Sequence, residues 1–172
     1  MTPSATLIAP STIRFERLLP GPVDRVWAYL TESKKRATWL AAGEFELRVG
    51  GRIELHFDNE SLSDEAAPPG AMGAGKHTST GKITRLEPLR LLAHTWRWDT
   101  VDTEVSYELA PRGKQVLLTI VHRRLTKPIV AKVLGGWDVH SGILEDILNG
   151  VAPRPFWATH DKLAPEYAPL AQ

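Results

Sequence analysis

Cysteine is absent from this chain of 172 residues, which removes disulfides, thiolate metal sites and a cysteine nucleophile. An excess of one charge is also missing: 21 Lys and Arg face 20 Asp and Glu, a formal net charge of +1. That balance gives no electrostatic reason to expect nucleic acid or anionic lipid as a partner. The densest basic clusters, Lys34-Lys35-Arg36 and Arg123-Arg124, read as solvated surface. No apolar run approaches the roughly 18 residues needed to span a bilayer, so no membrane insertion is expected. Residues 1–10 lack the basic start and apolar core of a signal peptide. The expectation is a soluble, cytoplasmic protein.

What is present fits one domain of ordinary size. Apolar residues make up 42% of the chain and charged residues 24%, and the length allows a substantial core. The expected single domain spans 1–172, with its core over about 11–151. The tail 152–172 carries Phe156, Trp157, Leu163 and Tyr167, enough apolar surface to pack back on the body as a short helix.

The strongest local pattern lies near the C-terminus. Val133, Trp137, His140, Leu144, Ile147 and Val151 recur at three- and four-residue intervals, the apolar stripe of a long helix beginning after Ile129. Asp138, Glu145, Asp146 and Asn149 fall on its other side, and Asn149-Gly150 before Pro153 is a stop signal. Upstream the period drops to two. Residues 11–19 set Ile13, Phe15 and Leu19 against Thr12, Arg14 and Glu16, predicting the first strand. Pro20-Gly21-Pro22 then opens a short helix with Val23, Val26, Trp27 and Leu30 on its apolar face. Thr31-Glu32-Ser33 caps a second, running to about Trp39.

Two alternating runs, 45–49 and 53–57, flank Gly50-Gly51, the signal of a hairpin with a primed turn. Phe45, Leu47, Val49, Ile53, Leu55 and Phe57 are assigned to the inner face. Four more strands are predicted over 80–86, 91–98, 103–109 and 115–123. Their inward residues are Leu92, His94, Trp96 and Trp98, then Val105, Tyr107 and Leu109, then Val116, Leu118, Ile120 and His122. Short turns between successive strands demand antiparallel pairing, and the class is α+β.

Residues 59–78 break the pattern with Pro68-Pro69-Gly70, Gly73 and Gly75, which suits a lid or binding loop. Within them Gly70-Ala71-Met72-Gly73-Ala74-Gly75-Lys76-His77 spells all but the last letter of a phosphate-binding P-loop. A working P-loop follows a buried strand, opens a helix and carries Ser or Thr after the lysine. None of these conditions holds, so nucleotide is not expected. The six histidines, His56, His77, His94, His122, His140 and His160, show no zinc spacing, and no metal or other cofactor is expected. A nucleophilic serine lacks its Gly-x-Ser-x-Gly elbow.

Several ordered landmarks together resemble a known family. They are Val26-Trp27, Trp39, Phe45 through Val49-Gly50-Gly51, Gly81-Lys82-Ile83 with Leu86-Glu87-Pro88, Leu91-Leu92 to Thr95-Trp96, Val121-His122 and Gly136-Trp137. Over roughly 13–151 the chain resembles the START-like (SRPBCC, helix-grip) superfamily, in the branch similar to the activator of heat-shock-protein-90 ATPase. The resemblance implies a helix-grip fold: a curved seven-stranded antiparallel sheet wrapped around a long C-terminal helix, with two short helices after strand 1 and a cavity between sheet and helix.

The leading functional expectation is non-enzymatic binding of a small apolar or aromatic molecule in that cavity, gated by 59–78. Its expected lining is Trp39, Phe45, Leu55, Phe57, His94, Trp96, Tyr107, Leu118, His122, Trp137, His140, Ser141 and Leu144. Among these, His94, Tyr107, His122 and His140 are the candidate orienting polar groups. One alternative is an enzyme of the aromatase/cyclase or hydrolase kind, with pocket His and Tyr as acid and base. The other is a protein-interaction domain on a chaperone ATPase. A homodimer or a chaperone is the partner considered besides the small molecule. The co-chaperone that this chain resembles also has a separate N-terminal domain, for which no room is expected here.

Overall fold

Period-two alternation builds most of the molecule. The computed structural model describes residues 3–71, 73–98 and 100–172. Its strands are β1 (Ser4–Ala9), β2 (Thr12–Pro20), β3 (Arg52–Asp58), β4 (Lys76–Glu87), β5 (Leu91–Trp98), β6 (Val101–Arg112) and β7 (Gln115–Arg123). They form one seven-stranded sheet in the order β1-β2-β7-β6-β5-β4-β3, with every pair antiparallel. Helices α1 (Val23–Thr31) and α2 (Ser33–Arg36) follow β2, and α3 (Val130–Leu148) and α4 (Phe156–Tyr167) follow β7. The assigned inward residues of β3, β5, β6 and β7 are buried against α3 in one apolar cluster with Phe15, Trp39 and Phe156. The side chain of Trp98 lies outside the described set, as does Met72 of the near-P-loop.

Several sequence expectations need correction. The two short helices follow the second strand, because 4–9 forms an additional strand paired with β2. The sheet still has seven strands, since 45–49 is not one of them. Phe45 makes only a bridge to Ile53, and Ala42 one to His56. The turn does fall at the Gly-Gly pair: Gly51 N–H donates to Arg48 O at 2.9 Å, with Gly50 at φ +82°, and beside it Gly50 N–H donates to Ile83 O and Ile83 N–H to Gly51 O, both at 2.8 Å. Gly51 thereby leads from the turn into β3 alongside Ile83 of β4. Leu47 and Val49, assigned inward, are 47% and 64% exposed.

Arg36, read as solvated, is 1% exposed. Its guanidinium donates to the carbonyls of Leu30, Ala41 and Gly43 and stands 3.6 Å from the centre of the Phe45 ring. Burial lowers its pKa to about 10. One arginine thus ties α1, α2 and the 41–45 segment together.

Helix α3 keeps Asp138, Glu145 and Asp146 on its second side, but that side is covered rather than open to solvent. Val139, Ile143 and Leu134 are as buried as Trp137 and Leu144, and Asp138 is buried too. A helix enclosed all round needs cover on both sides; the sheet gives one cover and α4 the other. The stripe ends before Val151, which is exposed. Arg25 of α1 donates to Leu148 O at 3.1 Å, satisfying a carbonyl of the last turn. No helix among the described residues is long and apolar enough to cross a membrane.

Candidate functional site

A cavity of about 330 Å³ lies between the sheet, α3 and α4. The strands contribute Phe57 from β3, His77 from β4, Trp96 from β5 and His122 from β7. Lys132, Val133, Gly136, Trp137 and His140 come from α3, and Phe156 and His160 from α4. Leu40, Asn59, Gly73 and Ala74 complete the wall. The Trp96 and Trp137 rings stand perpendicular, with centroids 5.7 Å apart. Phe57 is stacked between His77 and Trp96, at 4.7 and 5.3 Å. Lys132, His77 and Ala74 lie toward the side open to solvent.

Beside and behind these aromatics, the polar groups are neutral and paired. Trp137 Nε1–H can only donate, so its 3.2 Å contact makes His122 Nδ1 the acceptor. His122 Nε2–H then donates to Thr103 Oγ1 at 2.8 Å, and the Thr103 hydroxyl donates to Trp96 O at 2.7 Å. Burial, with a smaller contribution from nearby His94, lowers the His122 pKa to about 3. His94 donates from Nδ1 to Thr95 O at 2.9 Å, leaving Nε2 to accept from the Tyr107 hydroxyl at 3.1 Å. Burial lowers His94 to about 4 and pushes the Tyr107 phenol up. Neither His94 nor His122 has a nitrogen left for a molecule in the cavity.

His140 and Asn59 differ. His140 Nδ1–H donates to Trp39 O at 2.7 Å, while Nε2 has no hydrogen-bond partner among the described residues. Burial lowers its pKa to about 4. Asn59 donates from Nδ2 to Gly73 O at 3.3 Å, and its buried Oδ1 has no partner among the described residues.

The 59–75 segment is moored at this mouth. Ser63 Oγ accepts from Phe156 N–H at 3.0 Å, and the Glu65 carboxylate accepts from Trp157 and Ala158 N–H at 2.9 and 3.2 Å. Those are orphan donors of the first turn of α4, where a carboxylate is also favoured by the helix dipole. Lys76 opens β4 opposite Asp58, so a strand rather than a helix follows the glycine-rich run. Among the described residues no group of three or more His, Asp or Glu side chains could hold a metal ion.

Of the thirteen lining residues expected from sequence, Phe57, Trp96, His122, Trp137 and His140 line the cavity. Trp39, Leu55, His94, Tyr107, Leu118, Ser141 and Leu144 are buried outside its wall, and Phe45 is half-buried over Arg36. Ser141 belongs to a separate polar seam. It accepts from Arg17 Nε at 2.9 Å and donates to Trp137 O at 2.6 Å. Arg17 also donates to Glu145 Oε2 at 2.6 Å and to the Asp138 carboxylate. Arg154 pairs with Asp146 at 2.8 Å and lies across Gly142, where any Cβ would collide with the guanidinium.

Sequence reasoning does not place Asn59, Gly73, Ala74 and His77 on the wall, although the segment holding them reads as a lid. Leu40, Phe156 and His160 carry no such signal either, coming from a turn and the tail. Gly136 is visible as a landmark at the start of the helix.

A profile of the family described as Activator of Hsp90 ATPase homolog 1-like protein matches residues 20–149. The chain belongs to this family. With it comes membership of the START-like superfamily, and relatives of known structure bear out the α+β helix-grip architecture. The protein encoded by gene BPP1335 of Bordetella parapertussis is 42% identical, with a TM-score of 0.80 over 95% of this chain and 87% of that one. CalU16 of Micromonospora echinospora shares the fold at 22% identity and a TM-score of 0.75, over 99% and 98% of the two chains. A Rhodobacter sphaeroides protein does so at 19% identity and 0.69, over 87% and 99%. Comparison with curated proteins finds no significant match.

Proposed function

We propose that this family member binds a small aromatic or apolar molecule in the cavity between the sheet, α3 and α4, without chemically transforming it. The observation that carries the reading is the aromatic wall of Phe57, Trp96, Trp137 and Phe156 around about 330 Å³, a volume in the range of small-ligand sites (roughly 300–1,000 Å³). Flat apolar walls suit a planar ring. Two further facts support holding over catalysis or protein docking. The His94–Tyr107 pair, the natural acid–base candidate, is closed on itself outside the wall. Trp39, Trp96, Trp137 and Trp157 are all buried rather than offered to a partner.

Gly136 gives the test. A Cβ there meets nothing within 4 Å, so Gly136→Leu would push a side chain into the cavity while replacing a poor helix former. In a thermal-shift screen of fatty acids, flavonoids and polycyclic aromatics, a ligand at about 100 times its Kd stabilises the wild type by roughly 2.7 kcal/mol. Gly136→Leu should keep its stability and lose the ligand response. If no compound stabilises the wild type and Gly136→Leu loses the roughly 1–3 kcal/mol typical of overpacking, the interior is filled and the reading fails.

A further inference from the structure

We infer that the ligand of this cavity is an aromatic carboxylate, its ring among Trp96, Trp137 and Phe156 and its carboxylate at the mouth beside the Lys132 ammonium. This rests on the binding function proposed above.

The wall carries charge of one sign. Lys132 lines the cavity, and among the described residues no Asp or Glu does. Acids on the same helix are engaged on its far side, where Asp138, Glu145 and Asp146 pair with Arg17 and Arg154. Near the mouth, Glu65 caps α4 and Glu60 accepts from Gly75 N–H at 3.4 Å. The Lys132 ammonium has no ion pair or hydrogen bond among the described residues. A lysine lays its apolar stem along a wall and keeps its charge in water, so an anion can meet it at the mouth without full dehydration.

The cavity also has a direction. Lys132, Gly136 and His140 follow at four-residue intervals on one face of α3, about 12 Å from end to end at 1.5 Å per residue. Lys132 is exposed, whereas His140 is 8% exposed. Since His140 Nδ1–H donates to Trp39 O, its neutral ring keeps only a lone pair at Nε2. A carboxylate at that inner end would meet a lone pair and apolar rings. At the outer end it meets the ammonium and two histidines held flat against the wall. His77 stacks on Phe57 at 4.7 Å, and His160 lies parallel to Phe156 at 6.4 Å. Neither makes a hydrogen bond among the described residues, and every neutral imidazole carries one N–H to donate. The perpendicular Trp96 and Trp137 rings take the flat body. A cationic ligand would meet Lys132 with no counter-charge on the described wall.

Three probes sharing one two-ring body decide it: 2-naphthoate, its neutral amide 2-naphthamide, and the cationic 2-naphthylmethylamine. They are titrated by calorimetry and tryptophan quenching at about pH 7.5, where the carboxylate is ionised. Naphthoate is expected to bind at least about fivefold tighter than the amide, a factor corresponding to about 1 kcal/mol. Salt at about 0.5 M should shrink that margin. Lys132 is exposed, so its variants should melt like the wild type. Lys132→Met should bring naphthoate to the affinity of the amide, and Lys132→Glu should favour the amine over naphthoate. Equal wild-type affinities for naphthoate and amide overturn the inference and leave the container reading standing, as does tightest binding of the amine. A naphthoate preference that survives Lys132→Met overturns it too, because the anion is then held elsewhere. If none of the three binds, the inference falls, and the wider screen with Gly136→Leu decides whether the container reading falls with it.

Discussion

The two sides of α3 bury polar groups in opposite ways. Toward β5, β6 and β7 the groups are neutral: His94, Tyr107, His122 and Trp137 exchange single hydrogen bonds in fixed tautomers. Toward β2 and α4 they are charged. Arg17 binds Asp138 and Glu145, Arg154 binds Asp146 and Glu145, and Tyr167 donates to Asp138 Oδ2 at 2.6 Å. A buried ion needs several partners at once because its desolvation penalty is large, so the ionic side is crowded and solid. A neutral imidazole is satisfied by two. The cavity can therefore lie beside the neutral side without leaving a bare charge next to empty apolar walls.

Acid should break the neutral side, and this is the largest effect expected. The folded pKa values of His94, His122 and His140 lie near 4, 3 and 4, below the unfolded value of about 6.5. The unfolded chain thus binds more protons between those limits. The histidine contribution is fully present above about pH 6.5 and is lost as pH falls toward about 4, at up to roughly 1.4 kcal/mol per pH unit for each histidine. Across that window the loss rivals a typical domain's whole stability of about 5–15 kcal/mol. Urea melts at about pH 7, 5.5 and 4.5 measure it. A flat profile would show that these rings charge freely and are not sealed.

The charged side is probed at neutral pH. Arg17 is 4% exposed and Asp138 6%, so Arg17→Met strands a buried carboxylate and should cost about 3–5 kcal/mol. Arg17→Met with Asp138→Leu should recover much of that loss. If the single variant melts like the wild type, the seam is not electrostatically tight. The smallest effect belongs to Tyr167→Phe, which removes one donor from Asp138 at the half-buried edge of the seam. A loss of about 1 kcal/mol is expected in the same denaturation assay, and no loss would mean that α4 is held by its apolar contacts alone.

Much of the fold was legible because period carries burial. Every described inward assignment in β3, β5, β6 and β7 is buried, and the α3 stripe holds from Val133 to Leu144. Strand β1 was missed because it is an edge strand with almost no buried face; its only signature is pairing with β2. The turn at Gly50-Gly51 was legible but the strand before it was not there, because Arg36 fixes the 41–45 segment in a way no local pattern shows.

By itself, then, the sequence determined the class, the central strands, the long helix and the family, since each rests on spacing along the chain or on ordered landmarks. Tertiary structure alone decided which polar groups are buried and what they face. Arg17 meets Asp138 across 121 positions of sequence. Asn59 reaches the cavity from a segment without period, and Phe156 from the tail. Local pattern reports how a residue sits on its own element; whether a charge is covered or an acceptor left unpaired depends on what another element brings to it.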